Sequence, residues 1–246
     1  MRKLFAVAIG VTCALSSMTA SAGDVAATNA VAPAERENSA RKARDLLDLI
    51  ASPDEAQRNF VTHYLAAYDA LFERDAAIRN LETRKPGLIT AIRARILAEI
   101  ETLAAVETKR SSDAVAEIYQ RALTEDDLDT AISFYRSPVG IRMSRKMIAA
   151  AEQEYRKSGD KVAALDANGV VRDMTKSATV AAFEAIGPED GTAVATFMRS
   201  PAYLKMQMVS PEVQQVVTRA LLASQERVEA KMTPIITQAI SNFSGR

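Results

Sequence analysis

The chain has 246 residues, and its 31 lysines and arginines balance 31 aspartates and glutamates, so the formal net charge is zero. This balance provides no basic face for nucleic acid, and the lack of tryptophan, with aromatic residues at 5%, disfavours a stacking cleft for carbohydrate. The one cysteine, Cys13, lies near the N-terminus, so the rest of the chain has neither disulfides nor thiolate ligands for metals.

The first 22 residues have the pattern of a secretory signal peptide. Two basic residues at positions 2 and 3 precede an apolar stretch over 4–15, and a small-x-small cleavage site ends at Ala22. We therefore predict cleavage near Ala22, a periplasmic or secreted location and no membrane span in the mature chain, since the apolar stretch is too short to cross a bilayer with ease. Residues 23–38 show no periodicity and are predicted to form a mobile leader.

Helical spacing begins in the next segment, residues 39–159. Apolar residues recur at i, i+3, i+4 and i+7 from Ala43 to Ile50. Residues 52–55, Ser-Pro-Asp-Glu, then predict a helix start with a capping box. This helix is expected to end before Pro86, because the residue preceding a proline avoids helical geometry.

Three further helices are predicted after Pro86 in this N-terminal half. A helix is predicted from Leu88 to about Thr108, and a Ser-Ser pair at 111–112 predicts the restart of a short helix. Thr124, with the acidic residues after it, predicts another N-terminal cap.

One ten-residue pattern occurs twice, at 134–143 and at 197–206. Each copy has an aromatic residue, an arginine, a Ser-Pro pair, an aliphatic residue, a basic residue and a methionine. The serine hydroxyl can cap free N–H groups and proline fits the first helical position, so the pattern predicts a helix–corner–helix. Divergent repeats and the reuse of one corner motif explain the two copies equally well.

Residues 160–246 form the predicted C-terminal half, with 160–169 as the candidate hinge between the halves. A helix is predicted near 171–186, and Ser210 with Pro211 is predicted to open the longest helix. No run of alternating β-branched residues lies between turn signals. The predicted fold is therefore all-α, an irregular antiparallel helical bundle of about seven to nine helices in two halves.

The chain offers few groups for catalysis, and we predict no catalytic residue, no metal site and no cofactor. His63 is the only histidine and lies in mid-helix, which favours a structural or surface role. The acidic cluster at 125–129 lacks the glycine and distal glutamate of a calcium loop and suits a helix start. No G-x-S-x-G elbow surrounds Ser137 or Ser200, so capping explains them better than nucleophilic catalysis.

Basic residues around the first corner form a candidate binding site. A helix N-terminus with nearby arginines can hold a phosphate or an acidic lipid headgroup, although a solvated charged face explains the same pattern. The candidate residues are Arg136, Ser137, Gly140, Arg142, Arg145 and Lys146. Methionines at helical spacing fit either a packed core or a groove for hydrophobic peptides; they are Met143, Met147, Met174, Met198, Met206, Met208 and Met232.

Residues 128–143 contain a Phe-Tyr-x-Ser-Pro-x-Gly core that ends at Gly140. This core resembles the motif of the bacterial family known as domain of unknown function 2059, and a looser similarity extends over 39–157. The resemblance implies an all-helical exported protein and carries no established activity, substrate or catalytic residue. Ile141 and Arg142 depart from the family pattern, and the second copy has Tyr203 in place of Gly140.

Three function classes fit these observations. The first is a non-enzymatic periplasmic binding or interaction protein for a hydrophobic peptide, a lipid or a partner helix. The second is an envelope hydrolase or lyase that uses carboxylates. The third is a structural or assembly factor of the cell envelope. The shape and lining of the clefts should discriminate between them.

Overall fold

The computed structural model describes residues 33–157 and 167–244. Over these ranges the chain forms nine α-helices, one 3₁₀ turn at Pro188–Asp190 and no strand, which confirms the predicted all-α bundle. The helices are α1 (Pro33–Ala51), α2 (Pro53–Arg74), α3 (Ala76–Arg84), α4 (Leu88–Ala122), α5 (Glu125–Arg136), α6 (Pro138–Lys157), α7 (Ala167–Glu184), α8 (Gly191–Met198) and α9 (Pro201–Ser244).

Some predicted segments lie outside the described ranges. The predicted signal peptide, the first part of the predicted leader and most of the candidate hinge at 160–169 are among them. Residues 33–38, which the sequence assigned to the leader, form the first turns of α1. The partition into halves at 39–159 and 160–246 stays a prediction.

Apolar side chains gather in two separate cores. The main core joins α1, α5, α6, α7, α8, the end of α4 and the start of α9; it includes Leu46, Tyr119, Tyr135, Met147 and Val213. The distal core joins α2, α3, the start of α4 and the end of α9; it includes Phe60, Phe72, Ile92, Ile100 and Met232. Helices from both predicted halves therefore contribute to each core.

The two longest helices, α4 and α9, run through both cores. Three side-chain pairs step along them in opposite directions, which shows that the helices are antiparallel: Arg95 with Gln238, Glu107 with Arg227, and Arg121 with Glu212. Their apolar stripes are long enough to serve both cores, because α4 has 35 residues and α9 has 44.

Both predicted corners begin helices as expected. The Ser137 hydroxyl oxygen accepts a hydrogen bond from the Gly140 N–H at 3.2 Å, and the Ser200 hydroxyl oxygen accepts one from the Tyr203 N–H at the same distance. Each hydroxyl also donates to the carbonyl oxygen three residues earlier at 2.6 Å. The two corners thus have the same local hydrogen bonds, which confirms that both serines are helix caps.

The corners also pack against each other. The rings of Phe134 and Phe197, which hold equivalent positions in the two copies, stack with centroids 4.0 Å apart and planes 7° apart. Contact between equivalent residues is the arrangement found across a two-fold axis. Tyr135 and Tyr203 each pack edge-on against Phe197, at 5.7 and 5.6 Å, which completes an aromatic cluster within the main core.

Two predicted helix starts are wrong. The Ser-Ser pair at 111–112 lies inside α4, where the Ser111 hydroxyl donates to the carbonyl oxygens of Glu107 and Thr108 instead of capping a new helix. Pro211 lies inside α9, which begins at Pro201. Residues on both sides of Pro211 are buried along one face of α9, so tertiary packing maintains the helix across the proline; they are Ala202, Met206, Val213 and Val217.

The region before Pro86 also differs from expectation. The predicted single helix is interrupted at Asp75, whose carboxylate accepts hydrogen bonds from the N–H groups of Ala77 and Ile78 and so begins α3. At the predicted start of α2, the Ser52 side chain makes no capping hydrogen bond. Ser52 instead has a left-handed conformation with a φ of 43°. The helix start was therefore correct at Pro53, but the predicted capping box is absent.

The first corner tolerates no side chain at Gly140. A Cβ atom there would lie 2.1 Å from the carbonyl oxygen of Phe134 and 2.6 Å from the Cα of Tyr135. Both contacts are to the backbone of α5, which cannot move aside as a flexible side chain does. Glycine at this position therefore allows α6 to approach the end of α5 closely.

We predict that Gly140→Ala lowers the free energy of unfolding by about 1–3 kcal/mol, because the added methyl group forces α5 and α6 apart. Urea denaturation followed by circular dichroism measures this change. Gly191→Ala is the matched control, since no atom beyond its chain neighbours and the adjacent backbone of its own helix lies within 4 Å of its Cβ position at the start of α8. Equal effects of the two substitutions would contradict the argument.

Candidate functional site

The candidate binding residues at the first corner are only partly brought together. Ser137 and Gly140 form the cap of α6, so the hydroxyl and the N–H that would bind an anion are already paired with each other. Arg142 pairs with Asp190, whose carboxylate also accepts the Gly187 N–H at 2.7 Å. The guanidinium of Arg142 is therefore directed toward the 3₁₀ turn.

The remaining basic residues of this set are exposed. Arg136, at the end of α5, lies 4.0 Å from the Asp45 carboxylate, while Arg145 and Lys146 are exposed on α6. These three side chains therefore lie on the surface. None of them lines either of the two surface clefts that are described below. An anion site here stays a prediction.

The acidic cluster at 125–129 stabilises the start of α5. Thr124 and Asp127 form a reciprocal capping box, and Lys205 pairs with the same Asp127 carboxylate. Burial alone would raise the pKa of Asp127, but the hydrogen bonds from Lys205 and Thr124 outweigh it and lower the pKa. Glu125 and Asp129 both pair with Lys42 of α1. These contacts match the predicted role of the cluster at a helix start.

A layer of polar side chains separates the two cores. We call it the polar layer and define it as His63, Tyr64, Glu107, Tyr155, Ser224 and Arg227. On α4, Glu107 lies between Ala104 of the distal core and Val115 of the main core. On α9, Ser224 and Arg227 lie between Val217 of the main core and Val228 of the distal core. The layer therefore crosses the molecule where one core ends and the other begins.

The charged pair of the polar layer joins α4 to α9. Glu107 is buried, with a side chain 7% exposed, and its carboxylate accepts hydrogen bonds from Arg227 and, at 3.3 Å, from Arg110. The Nε of Arg227 is buried and has no hydrogen-bond partner among the described residues. A buried carboxylate is tolerated only when it is paired in this way, and its partners hold α4 and α9 in one register.

The other side of the polar layer joins α2 to α6. His63 Nε2 and the Tyr155 hydroxyl lie 3.2 Å apart, within hydrogen-bond distance, and the two rings meet edge-on with centroids 4.9 Å apart. Burial, and secondarily the nearby Arg156 cation, lower the pKa of His63 to about 4. The imidazole is therefore neutral at pH 7. Burial likewise raises the pKa of Tyr64, which stacks on Phe60 at 4.2 Å.

His63 is the one member of the polar layer that the sequence analysis weighed as a candidate for catalysis or metal binding. It lies one position from the buried face of α2, and the sequence favoured a structural or surface role for it. Glu107 could have been noticed, because it continues the stripe of Ile96, Ile100 and Leu103 at helical spacing. No local signal marks Tyr155 or Arg227, since their partners are distant in sequence.

Two open clefts lie on the surface of the described residues. One, of about 270 Å³, lies between α1, α2 and α4 and contains Asp48. Partial burial, with the neighbouring Asp45 and Asp54 carboxylates, raises the pKa of Asp48, although its side chain remains exposed. The cleft also contains Lys109 and Asp113, so charges of both signs line it.

The second cleft, of about 450 Å³, is a groove between α6 and α7. Apolar residues Ala150, Val180 and Ala181 contribute to its lining, together with acidic and basic side chains: Glu154, Lys157, Asp173, Lys176 and Glu184. Val180 is 50% exposed, and Phe183, three residues further along α7, is 45% exposed. The groove thus combines accessible apolar surface with charges of both signs.

Most of the methionines fill the cores. Met143, Met147, Met174, Met206 and Met232 are buried, Met198 is partly buried, and Met208 is 61% exposed. Core packing therefore accounts for most of the methionine pattern, as its helical spacing favoured. Within 33–157 and 167–244 there is no group of three or more His, Cys, Asp or Glu side chains placed to hold a metal ion. None of the helices described is both long and apolar enough to cross a membrane.

Comparison with known proteins bears on the first corner. The molecule is an all-α helical bundle whose α5–α6 corner carries the Ser-Pro cap. Residues 112–164, which contain this corner, match the model of a family described as an uncharacterised protein conserved in bacteria, DUF2059. The match confirms the resemblance that the motif indicated, and the second corner lies outside it. Neither the curated proteins nor the solved structures include a significant match to the chain.

We predict that stability depends on pH through His63. The folded state keeps this imidazole neutral down to about pH 4, whereas the unfolded chain protonates it near pH 6.5. The free energy of unfolding should therefore fall as the pH drops from about 6.5 to about 4, by about 2–3 kcal/mol from this group. Urea denaturation at pH 7 and pH 4.5 measures the loss.

The control for this prediction is His63→Gln, which keeps a polar group beside Tyr155 but does not titrate. The variant should lose about 2–3 kcal/mol less than the unaltered protein over the same pH interval, since other carboxylates titrate in both. Parallel loss of stability in the two proteins would show that His63 is not protected from protonation by folding.

Proposed function

We propose that this protein is an exported, periplasmic, non-enzymatic interaction module that binds an amphipathic segment of a partner envelope protein in the α6–α7 groove. The observation that carries this proposal is the accessible apolar surface of Val180 and Phe183 beside a groove lined by charges of both signs. Exposed apolar patches with polar rims are typical of interaction sites.

The lining of the groove favours a peptide over a lipid chain. A lipid acyl chain would be enclosed best by an apolar tunnel, whereas this groove is open and carries three acidic and two basic side chains. A helical or extended peptide can place apolar residues on Val180 and Ala181 while its own charged residues pair with the rim. A partner segment with apolar residues flanked by both lysine and glutamate would complement it.

The groove is supported by packing beneath it. Ala178 and Ala182 are fully buried on α7, and Met147 and Ala151 are buried on α6, so the two helices approach closely below the open surface. Ser177 donates a hydrogen bond to Glu154 across the groove at 3.3 Å. A preformed, rigid groove lowers the entropic cost of binding, because little of the protein must be ordered when a peptide arrives.

Asp48 gives the enzyme alternative its one specific support. A carboxyl with a raised pKa in a cleft can act as a general acid or base. Its high exposure weakens this alternative, because catalytic carboxyls are usually shielded from water. If Asp48→Asn abolished a hydrolytic activity toward envelope substrates without loss of stability, the enzyme alternative would replace the binding proposal.

The proposed export rests on the N-terminal pattern of basic residues, apolar stretch and small-x-small site. We predict that the protein recovered from the periplasmic fraction of an expressing bacterium begins at Gly23, as measured by intact mass spectrometry. Replacement of Ala20 and Ala22 by bulky residues should block this cleavage. Recovery of the uncleaved chain in the cytoplasm would overturn the proposed location.

Peptide binding can be measured by fluorescence anisotropy with a labelled helical peptide of about 20 residues that carries a leucine stripe flanked by lysine and glutamate. We predict saturable binding in the micromolar range, weakened at least about tenfold by the double substitution Val180→Glu and Phe183→Glu. The loss is expected because the added carboxylates remove the apolar contact surface.

The double substitution Leu204→Glu and Met208→Glu is the matched control, since these side chains of α9 are also exposed, at 54% and 61%. It should leave peptide binding unchanged. Equal weakening by both double variants, or no binding of the peptide, would count against the groove. Vesicles of anionic phospholipid serve as a second probe, and binding to vesicles alone would favour the lipid alternative.

A further inference from the structure

We propose that α2 and α3 form a hinged arm, which the contact between His63 and Tyr155 holds closed, and which opens in acid to expose the aromatic residues of the distal core. The arm comprises Pro53–Arg74 and Ala76–Arg84. This inference is independent of the proposed peptide groove, which lies on α6 and α7.

The arm is bounded by the two residues of the described chain that have a positive φ. Ser52, directly before α2, has a φ of 43°, and Gly87, directly before α4, has a φ of 99°. Serine rarely occupies the left-handed region, and such strain is retained only when the surrounding packing enforces it. Release of the arm would relieve the strain at Ser52, so this residue is suited to be a hinge.

The arm is attached through one apolar face and few polar contacts. That face includes Phe60, Tyr64, Tyr68 and Phe72, which pack mainly against α4. Asp69 pairs with Arg93 of α4 at 3.0 Å, and His63 reaches Tyr155 of α6. Tyr64 also interacts with Ser224 of α9. Because α2 otherwise has little contact with α6, the His63–Tyr155 contact is the polar contact that joins the arm to α6 of the main core.

Protons favour the open arm because they bind His63 more tightly there. In the closed arm, burial and Arg156 lower the pKa of His63 to about 4, whereas an exposed imidazole titrates near 6.5. A protonated imidazole would also be repelled by Arg156. Between these pH values each unit of acidification favours the open arm by up to about tenfold.

The other charged groups that face the arm modulate this effect. Tyr155 and Arg156 face it from α6, Arg93 and Glu107 from α4, and Glu229 from α9. Within the arm, Glu82 accepts hydrogen bonds from the N–H groups of Gly87 and Ile89. Those hydrogen bonds lower the pKa of Glu82, so this hinge contact survives into more acidic solution than an ordinary glutamate would allow.

Cysteine labelling can follow the arm, because Cys13 is the one natural cysteine. In a Cys13→Ser background, Ala67→Cys places a thiol on the buried face of α2, and Ala178→Cys places one in the main core. The rate of reaction with 4,4′-dithiodipyridine is compared with that of the urea-unfolded chain at the same pH. The ratio reports how often each buried site opens.

Between pH 7 and pH 4.5 the protection of Ala67→Cys should fall by about tenfold or more, and at pH 4.5 it should be at least about tenfold lower than that of Ala178→Cys, which is exposed only when the whole molecule unfolds. Adding His63→Gln to the Ala67→Cys variant should abolish this acid-induced loss of protection. Equal protection of the two sites at pH 4.5 would mean that both are exposed only when the whole molecule unfolds, and retained protection at Ala67→Cys would mean that the arm stays closed. Either result overturns the proposal.

Hydrogen exchange of the chain without new cysteines provides a second measurement that does not depend on the folding of the variants. At pH 4.5, after correction for intrinsic rates, exchange in residues 53–84 should be accelerated relative to pH 7, while residues 138–155 remain protected. Equal protection of the two segments at pH 4.5, or no acceleration in residues 53–84, would contradict the hinged arm.

Discussion

The antiparallel pairing of α4 and α9 is the constraint on which the rest of the structure depends. Each helix contributes one stretch of its apolar stripe to the main core and another to the distal core. The pairing of Glu107 with Arg227 lies between these stretches. A shift of either helix by one turn, in either direction, would separate the buried carboxylate of Glu107 from Arg227. The charged pair therefore specifies the register of the two helices, although a buried ion pair adds little stability. Apolar stripes alone would tolerate several registers.

Local chemistry explains which parts of the fold could be predicted. Ser137 and Ser200 could be recognised as helix caps from the sequence. The serine hydroxyl pairs with a free N–H group of the first helical turn, and the proline beside it fits the first helical position. The same reasoning failed at Pro211, because the Ser-Pro pair was interpreted as a helix start although Met206 and Val213, at i and i+7 on either side of it, share one buried face. Burial outweighs the single hydrogen bond that the proline removes from α9.

The polar layer shows why a site is harder to predict than a helix. Glu107 and Arg227 are 120 residues apart, and His63 and Tyr155 are 92 apart, so each pair exists only once the helices have packed. A charged residue on an apolar stripe can be flagged from sequence, but its partner cannot be named. Because burial, more than any neighbouring charge, shifts the pKa of His63, its titration also follows from tertiary structure and not from the residues beside it.

The contact between Phe134 and Phe197 bears on the origin of the two corners. Identical caps can arise wherever Ser-Pro occurs, so the shared hydrogen bonds alone do not distinguish a repeat from a reused motif. Stacking of equivalent phenylalanines is a non-local contact that capping chemistry does not require, and it favours two related units packed about a local two-fold axis. The two copies differ at Gly140 and Tyr203. A close crossing of α5 and α6 requires glycine at the first position, whereas the buried ring of Tyr203 fills space beside Phe197 at the second.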